Sequence, residues 1–272
     1  MKNIFYTFCL LWGAALFAET ETSQKEANVT MALPEKTVIT ATRGDVKIIE
    51  ASENIRFLSQ KIVKDYLFLY KNPQQTEVKK GLHEALDELS DDLRIIATTT
   101  KDTDTKDILE FLAYSKDQIE EIFDGKVDQE KVALMLDYSE TLLEGADSIA
   151  NTHKYDFSEE ENMLMVTKEM EYLLERITKY YMALHVGFDN DVNKDQMQES
   201  IMKLEENIEK INLYQYPAET QEIQVKIHES WRSNKIFFDK SETLFIPKLM
   251  FASIDYLENL VAQIALYHNK NQ

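Results

Sequence analysis

The sequence predicts an all-α protein made of two tandem antiparallel four-helix bundles. Only six Gly and four Pro occur among 272 residues, too few for turn-rich β folds or for the glycine loops of nucleotide-binding folds. From about Asp45 onward, apolar residues recur every three or four positions, which is the period of a helix face. The pattern then repeats at a constant offset of 115 residues, as from Leu58 to Leu173.

Four helices are predicted in the first copy, over residues 45–71, 75–97, 105–123 and 128–152. The first contains a seam of apolar residues at the spacing of a helical bundle: Ile48, Ala51, Ile55, Leu58, Ile62, Tyr66 and Leu69. Asn72 precedes Pro73 and is therefore disfavoured in the helical conformation, so we expect the helix to end there. Asp124-Gly125 is a turn signal between the third and fourth helices.

The second copy is indicated by an ungapped alignment of the chain with itself at that offset. Identical residues coincide in all four helices: Leu58 with Leu173, Leu89 with Leu204, Phe123 with Phe238, Leu142 with Leu257 and His153 with His268. Chance would align one pair of amphipathic helices, but not four helices together with their turns. We therefore assign one four-helix domain to residues 44–153 and another to residues 159–270. The link 151–158 is short enough for the fourth helix to continue nearly straight into the next domain.

The N-terminus has the three parts of a secretory signal peptide: Lys2, an uncharged apolar run from Ile4 to Phe17, and the small residue Ala18. This run is shorter than the roughly 20 residues that a membrane-spanning helix needs, and no second run approaches that length. An uncleaved N-terminal anchor is the alternative. We expect cleavage after Ala18, so that residues 1–18 are removed and a periplasmic protein without membrane insertion remains. Residues 19–43 lack a helical stripe and are predicted to be a flexible leader.

The composition excludes several classes of function. The net charge is −19 and becomes −20 once Lys2 is removed, so neither nucleic acid nor an anionic membrane is an expected partner. The single Cys, Cys9, lies in the signal peptide, which excludes disulfides and cysteine-bound metals. No catalytic triad, phosphate loop or redox motif occurs, and the His residues form no metal-binding pair. We expect no cofactor, no metal and no enzymatic activity, and we expect His153 and His268 to interact with helix C-termini.

The first predicted helix carries a recognisable motif: Arg56-Phe57-Leu58-Ser59-Gln60-Lys61, followed by Lys64 and Tyr66. The segment resembles the opening helix of PilJ-type periplasmic sensory domains, which occur in nitrate/nitrite sensor kinases and in the chemotaxis transducers of type IV pili. Phe57 replaces the usual Met, and the Gly that commonly precedes the Arg is missing. The second copy has Glu171 where the first has Arg56. The motif covers about 15 residues, and the four-helix layout covers most of the chain beyond residue 43.

The resemblance implies a sensory or ligand-binding domain. In the nitrate sensors the first-helix Arg holds the anion where two subunits meet, which assigns that role to Arg56 and implies a homodimer. Those receptors also have transmembrane and signalling segments. We expect this chain to be a free-standing module that binds a small anion and reports to a membrane receptor or another periplasmic protein. The alternative is a structural or interaction protein whose bundle faces bind a protein partner without a small ligand.

Three polar side chains form the candidate ligand-binding site in the first copy. Arg56, Ser59 and Gln60 are spaced three and four positions apart, which puts them on one helix face beside the seam. A guanidinium offers several donors in one plane to an oxyanion. The alternative is a solvated Arg56 that pairs with Glu53 or with an acid on a neighbouring helix.

The second-copy counterparts are Arg176 and Lys179. They repeat Lys61 and Lys64 of the first copy at the same offset. Basic residues beside an apolar seam commonly cover apolar surface with their stems while the charge reaches water. We expect all four side chains to extend to solvent in this way.

Overall fold

The computed structural model describes residues 42–125 and 128–272. Within these ranges the chain forms eight α-helices and no strand, which confirms the predicted all-α class. The helices are α1 Arg43–Lys71, α2 Thr76–Thr99, α3 Thr103–Asp124, α4 Gln129–Thr152, α5 Glu159–His185, α6 Asp191–Leu213, α7 Ala218–Asp239 and α8 Pro247–Asn271. The predicted signal peptide, residues 1–18, and the predicted leader up to residue 41 lie outside the described residues.

Side-chain caps set the starts of the two longest helices. Thr42 accepts a hydrogen bond from the backbone of Asp45, and the Asp45 carboxylate accepts one back from the backbone of Thr42. Ser158 and Glu161 form the same reciprocal arrangement at the start of α5. Each such box satisfies backbone donors that have no partner inside the helix. The predicted leader therefore gives way to helix at Arg43, two residues earlier than the apolar stripe indicates.

The helices of each copy pack in a closed ring. In the first copy α1 packs against α2 and α4, and α3 packs against the same two helices; α5 to α8 repeat this pattern in the second copy. In addition, α1 packs against α5, so the two copies lie side by side with one continuous hydrophobic core. Because α1 and α5 contact helices on most of their circumference, they bury polar residues as well as the predicted seam.

The two central helices run parallel, and α4 runs antiparallel to α1. Arg56 lies over the ring of Tyr172, while further along both helices Lys64 pairs with Glu175. The antiparallel pairing of α4 is shown by His153, at its C-terminal end, which contacts Asp45 at the start of α1. The chain therefore reverses direction between α4 and α5. The nearly straight continuation expected through residues 151–158 is wrong, because the Ser158 cap starts a new helix there.

Matching contacts in the two copies agree with the 115-residue repeat. His153 Nδ1 lies 3.0 Å from an Asp45 oxygen, and His268 Nδ1 lies 2.5 Å from a Glu160 oxygen. Both members of one pair are displaced by 115 positions from those of the other. The two histidines lie at the C-terminal ends of α4 and α8, as expected. Each also contacts an acid in the first turn of the first helix of its copy, Asp45 in α1 or Glu160 in α5.

Helix α8 is an exception to the expectation that no second apolar run is long enough for a membrane. Among the described helices, only α8 is both long enough and apolar enough to cross a membrane. The core helix of a globular protein can have the same length and composition. In α8 the buried side chains of Met250, Ile254 and Leu257 belong to the shared core.

Candidate functional site

A cleft with a volume of about 360 Å³ lies where the two copies meet. Its walls come from α1 and α4 of the first copy and from α5 and α6 of the second, and Arg56 lines it. The parallel packing of α1 on α5 positions these walls, because it brings Arg56 next to Tyr172 and Glu169. A ligand in this cleft would contact both copies at once.

Only one of the three guanidinium nitrogens of Arg56 donates a hydrogen bond to a described residue. Its Nη1 donates to both carboxylate oxygens of Glu53 at 2.8 Å, and its guanidinium lies 4.3 Å from the ring centre of Tyr172. Nη2 lies 3.6 Å from Asp147, which is longer than a hydrogen bond, and Nε has no hydrogen-bond partner among the described residues. Nη2 can therefore donate a hydrogen bond to a carboxylate or another oxyanion in the cleft, whereas Nε is enclosed by the protein.

The electrostatics keep Arg56 charged. Burial disfavours the guanidinium ion, but Glu53, Tyr172 and Asp147 together outweigh this and raise the pKa of Arg56. Burial also raises the pKa of Glu53, although Arg56 opposes that shift. Across the cleft, Glu169 accepts hydrogen bonds from Lys203 and Asn207, which outweigh its burial and lower its pKa. The cleft thus holds fixed charges of both signs near its Arg56 end.

The cleft is a local exception to the acidity of the chain. Its lining contains four cations and three acids: Arg56, Lys154, Lys203 and Lys210 against Glu53, Asp147 and Glu169. This is an excess of one positive charge in a protein whose net charge is −19. The cations and acids of the lining nearly balance, so the cleft repels anions less than the rest of the acidic surface does.

Ser59 and Gln60 do not join Arg56 in this cleft. Both are fully buried: the Ser59 hydroxyl donates to the Arg56 carbonyl at 2.7 Å, and the Gln60 amide donates to Ser59 at 3.0 Å and to the Ser139 carbonyl at 3.4 Å. The three-residue ligand-binding patch expected beside the seam is therefore not formed, because only Arg56 lines the cleft. The helix has neighbours on the α4 side as well as the α5 side, so residues three and four positions from Arg56 enter the protein interior.

Arg176 and Lys179 lie apart from the cleft. The Lys179 ammonium is fully buried, where it donates to the Ser139 hydroxyl at 2.9 Å and pairs with Glu140; Arg176 pairs with the same carboxylate at 2.7 Å. Burial lowers the pKa of Lys179 to about 8; Glu140 opposes this shift, and the positive charge of Arg176 adds to it.

The expectation that these lysines reach solvent is wrong for Lys64 and Lys179. Lys64 is also buried, with its ammonium 2.7 Å from Glu175 and 4.6 Å from the ring centre of Phe251. A lysine on an outer helix can extend its stem to water, but α1 and α5 have helices on most sides. Their lysines therefore pair with acids supplied by the opposite copy.

Sequence reasoning missed Asp147, Lys154, Lys203 and Lys210. They lie on or beside helices that are far apart in the chain, and each is ordinary for an exposed helix face. Their spacing gives a weak signal. Asp147 and Lys154 are seven positions apart, as are Lys203 and Lys210, and seven positions correspond to about two turns of a helix. Only the tertiary packing brings the two pairs together.

Comparison with known proteins adds no relative. No protein-family model, curated protein or solved structure matches the chain. The resemblance to PilJ-type domains therefore rests on the residues of the first helix and stays a prediction. The functional argument depends on the cleft itself.

Proposed function

We propose that the protein is an exported sensory or ligand-binding module that binds a small anion in the cleft beside Arg56 and reports to a membrane receptor. The observation that carries the proposal is the guanidinium of Arg56 in the cleft: its Nη2 lies 3.6 Å from Asp147 and makes no hydrogen bond to a described residue. A charge-assisted hydrogen bond from Nη2 fits an oxyanion, and the neighbouring lysines offset its charge.

The position of the cleft supports a sensory role. In the PilJ-type domains that the first helix resembles, the arginine holds the anion where two subunits meet. Here Arg56 lies where the two copies of one chain meet, so the second copy takes the place of a second subunit. A ligand that contacts both copies favours one relative arrangement of them over another, which is the physical requirement for a conformational signal.

Thermal melting tests the proposal. We expect nitrate, nitrite, phosphate or acetate, compared at constant ionic strength, to raise the melting temperature of the purified protein. A ligand at a hundredfold excess over its Kd adds about 2.7 kcal/mol of stability. Arg56→Gln should abolish the increase, whereas Arg94→Gln, at an exposed arginine paired with Asp91, should not. An equal increase in wild type and Arg56→Gln would rule out the proposed role of Arg56.

A protein-interaction role is the second candidate, and one observation favours it. Phe111 and Tyr114 on α3 are 60% and 55% exposed, and acidic Glu110 is adjacent to them. An apolar patch with acidic neighbours suits a basic protein partner. We expect the double variant Phe111→Ser, Tyr114→Ser to lose partners recovered from periplasmic extract while its melting temperature stays within a few degrees of wild type. Unchanged recovery would exclude this surface.

A further inference from the structure

We infer that the protein has a second binding site, which takes a small primary alkylammonium ion in a cleft between α1, α5 and α8. This site is separate from the Arg56 cleft and selects the opposite charge, so the inference goes beyond the proposed function. Three features of the lining support it: charged side chains that are all acidic, a carboxylate that the protein leaves without a partner, and an aromatic ring.

We call this second cleft the acidic cleft; it has a volume of about 460 Å³. Among the described residues, three acids and no cation line it. Clefts lined by one sign of charge concentrate ions of the opposite sign, so the acidic cleft attracts cations. Its volume lies within the range of sites for small organic ligands, roughly 300–1,000 Å³. The lining consists of Phe57 from α1, Glu171 from α5, and Asp255, Glu258, Asn259 and Ala262 from α8.

Glu258 is the carboxylate that lacks a partner. Its Oε1 is enclosed by the protein and accepts no hydrogen bond from a described residue. The charges of Lys61 and Lys64 act on Glu258 from α1, but both lysines form their ion pairs with Asp65 and Glu175 instead. A largely buried carboxylate without a counter-ion is costly. The lining therefore favours a ligand that brings positive charge to the side of Glu258 that faces the cleft.

Negative charge exceeds positive charge around Glu258. Two lysines and four carboxylates meet there: Lys61, Lys64, Asp65, Glu175, Asp255 and Glu258 itself. Burial, and next the negative charge of Glu175, raise the pKa of Glu258 well above its usual range. A proton therefore competes with an ammonium ion for this carboxylate, and binding of the ammonium ion should strengthen as the pH rises through the titration of Glu258.

Further acceptors lie beside Glu258 in the lining. Asp255 is exposed and precedes Glu258 by about one turn on the same face of α8. Asn259 donates from its amide nitrogen to the Asp255 carbonyl at 2.7 Å, which leaves its side-chain oxygen as an acceptor. Glu171 accepts a hydrogen bond from Lys168 at 2.8 Å on one of its two carboxylate oxygens. A primary ammonium group has three N–H donors, and this lining offers oxygen acceptors to them.

The rest of the lining favours an organic cation over a metal ion. Phe57 is partly buried against the core, and its ring and the methyl group of Ala262 offer apolar contact to a short alkyl chain. The face of an aromatic ring also attracts a cation. Within residues 42–125 and 128–272, no group of three or more His, Cys, Asp or Glu side chains could hold a metal ion. An ion with one ammonium group and a short alkyl chain uses both parts of this lining.

Titration calorimetry at constant ionic strength tests the inference with butylammonium, its neutral analogue 1-butanol, and Mg²⁺. We expect butylammonium to bind at least about tenfold more tightly than 1-butanol, because only the ammonium group donates charge-assisted hydrogen bonds to the carboxylates. Butylammonium that binds no more tightly than 1-butanol would overturn the inference. Tighter binding of Mg²⁺ than of butylammonium would also overturn it, since the preferred ligand would then be a metal ion.

Variants of the lining locate the site. Glu258→Gln keeps the shape of the side chain without its charge and should weaken butylammonium binding at least about tenfold. Asp255→Asn, at an exposed residue outside the core, should weaken it about two- to fivefold. The matched control Glu229→Gln, at an exposed glutamate on α7, should leave the affinity unchanged, and so should Arg56→Gln, which removes the proposed anion site. Equal affinities of wild type, Glu258→Gln and Asp255→Asn for butylammonium would overturn the inference.

Discussion

The buried ion pair between Lys64 and Glu175 gives the sharpest test of how the two copies are joined. Lys64 is 1% exposed and Glu175 is fully buried, and the ammonium lies 2.7 Å from one carboxylate oxygen and 2.9 Å from the other. Burial disfavours the charge of Lys64, but Glu175 and Asp65 outweigh it and raise the pKa of Lys64. Lys64→Met removes the cation, keeps an unbranched stem of similar size, and leaves the buried carboxylate of Glu175 without its closest partner.

The expected cost follows from the surroundings of Glu175. Removing one member of a buried pair typically costs about 3–5 kcal/mol, because the other charge stays buried. Lys61 remains 3.7 Å from Glu175 and is 30% exposed, so it compensates in part. We therefore expect a loss of about 3 kcal/mol, which is a decrease of roughly 6–12 °C in the melting temperature of a domain of this size. Lys64→Met combined with Glu175→Met leaves no uncompensated charge and should recover at least about 1.5 kcal/mol relative to the sum of the single variants.

Urea unfolding of the four proteins of this double-mutant cycle measures the coupling. Lys80→Met, at a lysine that is 72% exposed, is the control and should change the free energy of unfolding by less than about 0.5 kcal/mol. Additivity within about 0.5 kcal/mol in the cycle would refute the claim that the two charges depend on each other. A loss below about 1 kcal/mol for Lys64→Met alone would refute the expected cost of leaving Glu175 without its closest partner.

Three further predictions concern stability. Leu58→Ala, at a residue 1% exposed, should cost about 2–5 kcal/mol in urea unfolding, whereas Leu213→Ala, at a residue 74% exposed, should change it by less than about 0.5 kcal/mol. Hydrogen bonds, first from Thr42, lower the pKa of Asp45 below 3.8. Its contribution to stability is therefore present above pH 3.8 and lost as the pH falls further, so the melting temperatures of wild type and Asp45→Asn should converge below that pH. The pKa of Lys179 is lowered from 10.5 to about 8. Between these pH values the unfolded chain binds more protons than the folded one, so the free energy of unfolding rises with pH. In urea unfolding, wild type should therefore gain stability relative to Lys179→Met as the pH rises from 8 to 10.5.

The helices were largely predictable because their signals are local. The apolar stripe, the Asn72-Pro73 stop and the Asp124-Gly125 turn each act within a few residues, and the helices observed in the first copy begin and end within about two residues of the predictions. The side-by-side packing of α1 on α5 was not predictable. A seam residue such as Leu58 is apolar whether its helix has two neighbours or three, so the periodic pattern does not distinguish a central helix from an outer one.

The candidate site was less predictable than the fold. Arg56 was found from a local motif, and the structure places it in a cleft. Ser59 and Gln60 were predicted from helix geometry alone, and they failed to join the cleft because α4 covers their side of α1. Lys154 and Lys210 were missed because nothing within their own segments differs from a solvated helix. Their role depends on contacts between elements that are more than 50 residues apart.

The 115-residue repeat relates the Arg56 cleft to a second cleft with different charges. In a symmetric homodimer, equivalent residues of the two subunits have equivalent surroundings, so a cationic cleft on one side of the central helix pair would require an identical one on the other. The counterpart cleft is present in this chain, with Glu171 at the position of Arg56 and Ala262 at that of Asp147. Among the described residues its lining contains three acids, Glu171, Asp255 and Glu258, and no cation. The other lining residues are Phe57, Asn259 and Ala262. In a single chain the two clefts can differ in charge, and the acidic one repels an anion. The proposed function therefore predicts a stoichiometry of one anion per chain.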